Sequence, residues 1–142
     1  MKKYILSISF LLTIGFISFG QTADPLVSKC AMSAGENAKY LKDFRIQLGK
    51  ATASNELRYK ANMSLWKNTK YRFTLCNADN SNSQLILNIK DDANKVVVSS
   101  FETGKIYPSI DFVCQKSGIY QLYYDFTNGQ QGSGVGVVSM IK

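Results

Sequence analysis

Histidine is absent from this 142-residue chain. Its absence removes Ser-His-Asp and Cys-His nucleophilic catalysis, imidazole base chemistry and most zinc enzymes. A Gly-rich phosphate loop is also missing. Gly132, Gly134 and Gly136 form a GxGxG inside an apolar strand pattern, with no helix after it, so the nucleotide reading fails. Glycine at such positions instead permits a bulge or close strand packing. There is no internal repeat and no low-complexity tract. Basic residues outnumber acidic ones, 17 to 10, but the lysines are scattered and form no run. Nucleic-acid binding would want clustered Arg and Lys with stacking aromatics, so it is not expected. Scattered lysines read as a solvated surface that blunts strand edges.

Long apolar runs are confined to the start. Lys2 and Lys3 precede an apolar stretch from Ile5 to Phe19, and Ser18 and Gly20 place small residues before Gln21. This is the layout of a secretory signal peptide over residues 1–20, and the run is short for a membrane span of about 20 residues. No Cys stands at the cleavage point, which argues against a lipoprotein. The mature chain is then 21–142, with no transmembrane segment after cleavage. It is expected to hold a lead and short helix over 21–42 and one β domain over 43–142. The protein is exported, to the periplasm or beyond.

What remains is dominated by period-2 patterning. In Pro108–Phe126, Tyr120, Leu122, Tyr124 and Phe126 share one face and Ile119, Gln121, Tyr123 and Asp125 the other, which reads as two strands joined by a short turn. Lys29–Leu41 has helix formers for one or two turns, weakened by Gly35 and Asn37. Strands follow at 43–48, 57–66, 71–76, 84–90, 95–101 and 132–141, separated by turns such as Asp91-Asp92-Ala93-Asn94 and Asn128-Gly129. The expectation is an all-β, antiparallel, eight-stranded jelly-roll-like β-sandwich. Numbered in chain order, its strands would lie 1-8-3-6 in one sheet and 2-7-4-5 in the other.

Three cysteines remain, an odd count in an oxidising compartment. In the jelly-roll order Cys76 and Cys114 end neighbouring antiparallel strands, roughly 17 Å apart, too far for a disulfide. Cys30 precedes strand 1, whose start lies near the end of strand 6. The pair expected is Cys30–Cys114, with Cys76 a free thiol, inert or reactive.

Other chemistry is thin. Asp91 and Asp92 diverge in a loop, and Asp111 and Asp125 need not share a face, so a carboxylate hydrolase is the weakest reading. Asp79, Asn80 and Asn82 offer oxygen ligands for calcium, but the spacing does not match an EF-hand and turn formation is the better explanation. A binding face fits better. If Leu57, Tyr59 and Leu65 face the core, Trp66 faces out, and Tyr123 faces out from the adjacent strand. Arg58, Lys60, Asn62, Gln121, Asn88 and Lys90 would share that face and suit a sugar chain or a partner protein. The alternative is that Trp66 covers the sandwich end as core. The sequence implies no enzyme activity and no cofactor.

Lys70–Leu75 (KYRFTL) and Ser117–Phe126 (SGIYQLYYDF) resemble the pre-peptidase C-terminal domains of bacterial secreted proteins, which are themselves similar to GOLD-type sandwiches. In those domains a Tyr-x-Phe strand precedes a final Gly-x-Tyr strand. The resemblance implies a non-catalytic sandwich module and supplies no site residues. The Lys- and Asn-rich composition and signal peptide are similar to small exported proteins of Bacteroidetes. The function expected is a small accessory subunit bound to a larger envelope or secretion assembly. A carbohydrate-binding module is the alternative.

Overall fold

The computed structural model describes residues 24–52, 57–79, 81 and 83–142. The expected signal peptide therefore lies outside the described residues. Helix α1 (Pro25–Ser33) opens the described chain. Asp24 caps it by accepting from the Leu26 N–H at 2.9 Å, and Pro25 sits in the first turn, where its missing N–H costs nothing. The helix ends at Ala34, and Gly35 (φ +99°) takes a left-handed conformation that reverses the chain.

Two antiparallel four-stranded sheets follow. The first has the order β1 (Ala38–Leu48), β10 (Gly132–Ile141), β3 (Lys70–Asn77), β8 (Ser109–Val113). The second has the order β2 (Tyr59–Leu65), β9 (Gly118–Phe126), β4 (Leu85–Lys90), β5 (Val96–Ser99). These are the two sheet orders expected of the jelly roll. A two-stranded hairpin, β6 (Phe101–Glu102) with β7 (Lys105–Ile106), is additional and lies partly where only a loop was expected. The helix begins and ends earlier than its residue preferences indicated, and β1 begins five residues before the expected Asp43.

The alternating apolar residues meet between the sheets. Phe44, Ile46 and Phe73 pack against Leu87, Ile89, Leu122, Tyr124 and Phe126, all buried. Phe44, Tyr59 and Tyr124 form a triangle of ring contacts 5.9–6.5 Å apart. The glycines of β10 face this core. A Cβ on Gly132 would fall 2.5 Å from the Phe126 ring, and one on Gly136 would fall 2.5 Å from the Tyr124 hydroxyl. The GxGxG therefore makes room for aromatics from the opposite sheet rather than for a phosphate or a bulge. Next to those glycines, Val135 and Val137 point to the opposite side, where α1 covers them.

β8 and β9 belong to different sheets and do not pair, so Pro108–Phe126 carries the chain from one sheet to the other.

The expected disulfide is corrected. Cys30 bonds Cys76, with a Cα–Cα distance of 5.8 Å, and Cys114 is the free, buried cysteine. Keeping Cys76 and Cys114 apart was sound: Lys70 pairs with Val113, so the two cysteines lie at opposite ends of β3 and β8. The position assumed for Cys30 was the error. Because Gly35 reverses the chain between α1 and β1, α1 lies across the outer face of the first sheet, not beyond the start of β1. That path brings Cys30 over Val135, the β10 partner of Cys76. Cys114 instead contacts the hydroxyl of Tyr120 inside the sandwich.

Candidate functional site

The outer faces of the two sheets are built differently. On the first sheet α1 is fixed at both ends. Asp24 pairs with Arg45 of β1 at 3.3 Å, and Arg72 of β3 donates to the Ala34 carbonyl at 2.7 Å. Arg72 also makes a two-pronged pair with Asp111 at 2.7 and 2.9 Å, with Lys70 nearby. Hydrogen bonds from Arg72 hold the Asp111 carboxyl below its ordinary value.

Among the described residues, no helix lies on the outer face of the second sheet. Pairing sets its side chains in rows because alternate residues of a strand share a face. Tyr123 of β9 sits between Lys60 of β2 and Asn88 of β4, and Gln121 sits between Asn62 and Lys90. Ile119 follows beside Ser64. The Lys60 and Lys90 ammonium groups lie 5.3 and 4.6 Å from the Tyr123 ring centre. Each such contact is worth about 0.5–1 kcal/mol at an exposed site. The Tyr123 hydroxyl donates to Gln121 Oε1 at 2.8 Å, which fixes the position of the ring.

Around Tyr123 lies a groove of about 400 Å³, with Lys60, Lys90, Asn88, Asn94 and Phe101 in its wall. No described residue in that wall is acidic. Asn88 Oδ1 is shut from solvent and has no hydrogen-bond partner. Asn94 and Phe101 were not expected here. Asn94 reaches the groove because the β4–β5 turn folds back, with Asp91 Oδ1 accepting from the Ala93 and Lys95 N–H groups.

The residues expected to share a site divide into three groups. Lys60, Asn62, Gln121 and Tyr123 are brought together with Asn88 and Lys90. Arg58 is drawn away. It chelates Asp125, accepted at 2.9–3.2 Å, and donates to the Gly49 and Gln130 carbonyls, so it ties loops at one end of the sandwich. Trp66 lies at the other end, beyond the Leu65–Gly118 pair, six residues along from Lys60, the partner of Tyr123, and so about 20 Å away. It is 69% exposed, so it does not cover the core. Ile119, 60% exposed, lies between it and the groove.

The other chemical options gain little. Asp111 pairs on the first sheet and Asp125 on the second, so they do not oppose each other across a cleft. Asp91 is occupied in its turn, and Asp92 faces Lys116 at 3.9 Å on the surface. Of the calcium candidates Asp79 is exposed, while Asn80 and Asn82 lie outside the described residues. Among the described residues no three His, Cys, Asp or Glu side chains gather as a metal site would require. Cys114 is buried, and the hydroxyl of Tyr120, which touches it, is pushed up to about 12, chiefly by burial.

What these features define is a class: a disulfide-bonded antiparallel β-sandwich with one armoured and one open outer face. Neither family models nor curated proteins yield a match to the chain.

Proposed function

We propose that this chain is a non-catalytic, exported binding module, a small accessory subunit of a cell-envelope or secretion assembly. It contacts a larger protein through the outer face of the β2-β9-β4-β5 sheet. The observation that carries this reading is Tyr123, flanked by Lys60 and Lys90, on a sheet face that no described helix covers. Tyrosine is among the residue types that anchor interfaces, with charged groups at the rim. The signal-peptide layout and the Cys30–Cys76 disulfide support export, since such bonds persist in oxidising compartments. No helix among the described residues is long and apolar enough to cross a membrane. The resemblance to pre-peptidase C-terminal domains supports a modular, non-catalytic role. The dispersal of the carboxylates among separate ion pairs supports it too.

The test is cross-linking in the native envelope, with a photoreactive residue at position 62 on the open face or at position 32 on α1. A stoichiometric partner should be trapped from position 62 and not from 32. Trapping from 32 alone, or no partner from either, would sink the reading.

A carbohydrate-binding role is a second reading, favoured by the bare Trp66 ring. It predicts a change in Trp66 fluorescence on adding glycans, absent in Trp66→Ala.

A further inference from the structure

We infer that the end of the sandwich carrying Trp66 docks on an anionic lipid bilayer. This end is distinct from the groove around Tyr123, so a lipid contact here and a protein contact there stand or fall separately.

Three turns make this end. One joins β2 to β3 (66–69), one joins β4 to β5 (91–95), and the third carries the chain from β8 to β9 (114–117). They are tied to one another. The Lys67 N–H donates to the Ser117 hydroxyl at 2.7 Å, the Asn68 N–H to the Cys114 carbonyl at 2.8 Å, and the Cys114 N–H to the Thr69 carbonyl at 3.0 Å. Lys116 reaches Asp92 at 3.9 Å, which links the third turn to the second. The Trp66 N–H donates to the Tyr71 hydroxyl, so the indole stands on a fixed backbone.

Turns favour Gly, Asn, Asp and Ser. Here Trp66 opens a turn and is exposed. Val113, the last residue of β8, Val96, the first of β5, and Ile119, the second of β9, are exposed as well. Between the second and third turns the apolar surface continues into a cleft of about 570 Å³, with Val96, Val97, Phe112, Ile119 and Tyr120 in its wall. A single apolar side chain on a surface needs no explanation, but a group of them at one end does. Val113 belongs to the first sheet and Val96 and Ile119 to the second, so the group wraps round the end rather than lining one groove. Such a contour suits a fluid surface that yields to it.

The charges point the same way. Residues 66–70, 90–96 and 113–119 hold five lysines, Lys67, Lys70, Lys90, Lys95 and Lys116, and two carboxylates, Asp91 and Asp92, which leaves an excess of three positive charges. Nearby Asp111 is matched by Arg72. Apolar groups ringed by cations bind at a bilayer interface: the apolar groups enter the boundary of headgroups and chains, and the cations meet anionic headgroups. Tryptophan is enriched at that boundary because its ring is apolar and its N–H can reach a polar atom. A sugar stacked on Trp66 would instead find Ile119 beside it, which offers no hydrogen bond.

Trp66 is its own probe, since it is the only tryptophan in the chain. The exported chain, residues 21–142, is titrated with vesicles of phosphatidylethanolamine and phosphatidylglycerol, and with vesicles of phosphatidylcholine alone. The anionic vesicles should bind, shift Trp66 emission to the blue and, when they carry a brominated lipid, quench it. The neutral vesicles should bind about tenfold more weakly, and added salt should weaken the anionic binding. By co-sedimentation, Lys67→Gln and Lys95→Gln should each cost about fivefold, and Trp66→Ala about tenfold. Ile106→Ser and Lys105→Gln, on the β6–β7 hairpin away from the three turns, should leave binding unchanged. Thermal melts establish that each variant is folded. No binding to anionic vesicles at low salt would overturn the inference. Binding with unchanged Trp66 emission, or with no loss in Trp66→Ala, would overturn it too, because another surface would then meet the lipid. A blue shift as large with oligo-glutamate as with vesicles would overturn it in favour of an acidic protein surface. The accessory-subunit reading fails separately, on the cross-linking map.

Discussion

The two outer faces of this sandwich carry opposite solutions to one problem. Each sheet must do something with the side not facing the core. On the first sheet, β10 turns Val135 and Val137 outward, and the chain spends a helix, a disulfide and two ion-paired arginines on covering them. On the second, the outward residues of β2, β9 and β4 are mostly polar, with Ile86 and Ile119 the aliphatic exceptions, and no described helix is laid over them. An apolar face demands a lid for stability. A mostly polar face needs none, so an aromatic fixed in place there needs a reason other than folding. That contrast is why the open face, not the covered one, is the functional candidate.

The strongest way to break the comparison is to remove the lid. Replacing Cys30 and Cys76 together by Ala opens a long covalent loop, and the loss of stability should be about 3–4 kcal/mol. Urea denaturation should show the shift in midpoint, and a dye that binds apolar surface should report exposed Val135 and Val137. Ligand binding on the open face should be unchanged while the protein stays folded. A small stability change with intact α1 would mean the helix is held by its packing and its arginines rather than by the bond.

Next in size is Arg58→Ala. Asp125 is only 4% exposed, and the arginine is the cationic group chelating it. Leaving that carboxylate buried and unpaired should cost about 3 kcal/mol. The double variant Arg58→Ala/Asp125→Asn should recover part of it. Partner binding through the open face should hardly change, because Arg58 is engaged by Asp125 and the loop carbonyls of Gly49 and Gln130. A selective loss of binding would return Arg58 to the site.

Asp111 gives a smaller effect with a pH signature. Its carboxyl is held low by Arg72, so the folded state binds its proton later than the unfolded chain does. The unfolded state then carries more protons across that window, and stability rises with pH there. The contribution is present above the unfolded value of 3.8 and is lost as pH falls through the lower folded value. Asp111→Asn should therefore cost about 1 kcal/mol at neutral pH, in line with a half-exposed pair, and nothing near pH 2. Thermal melts of both proteins across pH 2–7 check this. At the alkaline end, Tyr120 keeps its proton to about 12 when folded, so stability should fall as pH rises above 10 and the unfolded tyrosine ionises.

Much of this was legible in the sequence. Strict alternation in Tyr59–Leu65 and Gly118–Phe126 specifies which side chains share a face, and a one-residue slip would bury Lys60 and expose Leu122. The jelly-roll order then follows from strand count. What escaped depends on paths and partners far apart in the chain. Gly35 reads as a weak point in a helix, whereas its role is to reverse the chain and lay Cys30 over Val135. Arg58 and Asp125 are 67 residues apart, and nothing local says that one will consume the other. The distance from Trp66 to Tyr123, by contrast, needed only residue counting along an antiparallel pair. Asn94 and Phe101 entered the groove through the turn before β5 and the hairpin after it, which residue preferences do not place in space.

The smallest expected stability effect belongs to the residues with the largest expected effect on binding, and here the comparison is sharpest. Trp66 is mostly exposed, and its own N–H backbone bond to the Tyr71 hydroxyl, at 2.8 Å, does not involve the indole. Tyr123 makes ring contacts to two lysine ammonium groups and a hydroxyl contact to one glutamine. Trp66→Ala and Tyr123→Ala should each change stability by less than about 1 kcal/mol, the range of surface substitutions and exposed cation–π contacts. Yet Tyr123→Ala removes the aromatic at the centre of the groove, and it should weaken binding of the partner trapped from position 62 about tenfold or more, while Trp66→Ala, some distance along the face, should leave that complex in place. The yield of cross-linked partner from each variant separates the two. If both variants lost the partner alike, the open face would be one indivisible surface rather than a groove with an extension. If either cost several kcal/mol of stability, that aromatic would belong to the structure, and the reason for reading the uncovered sheet as the working face would be gone.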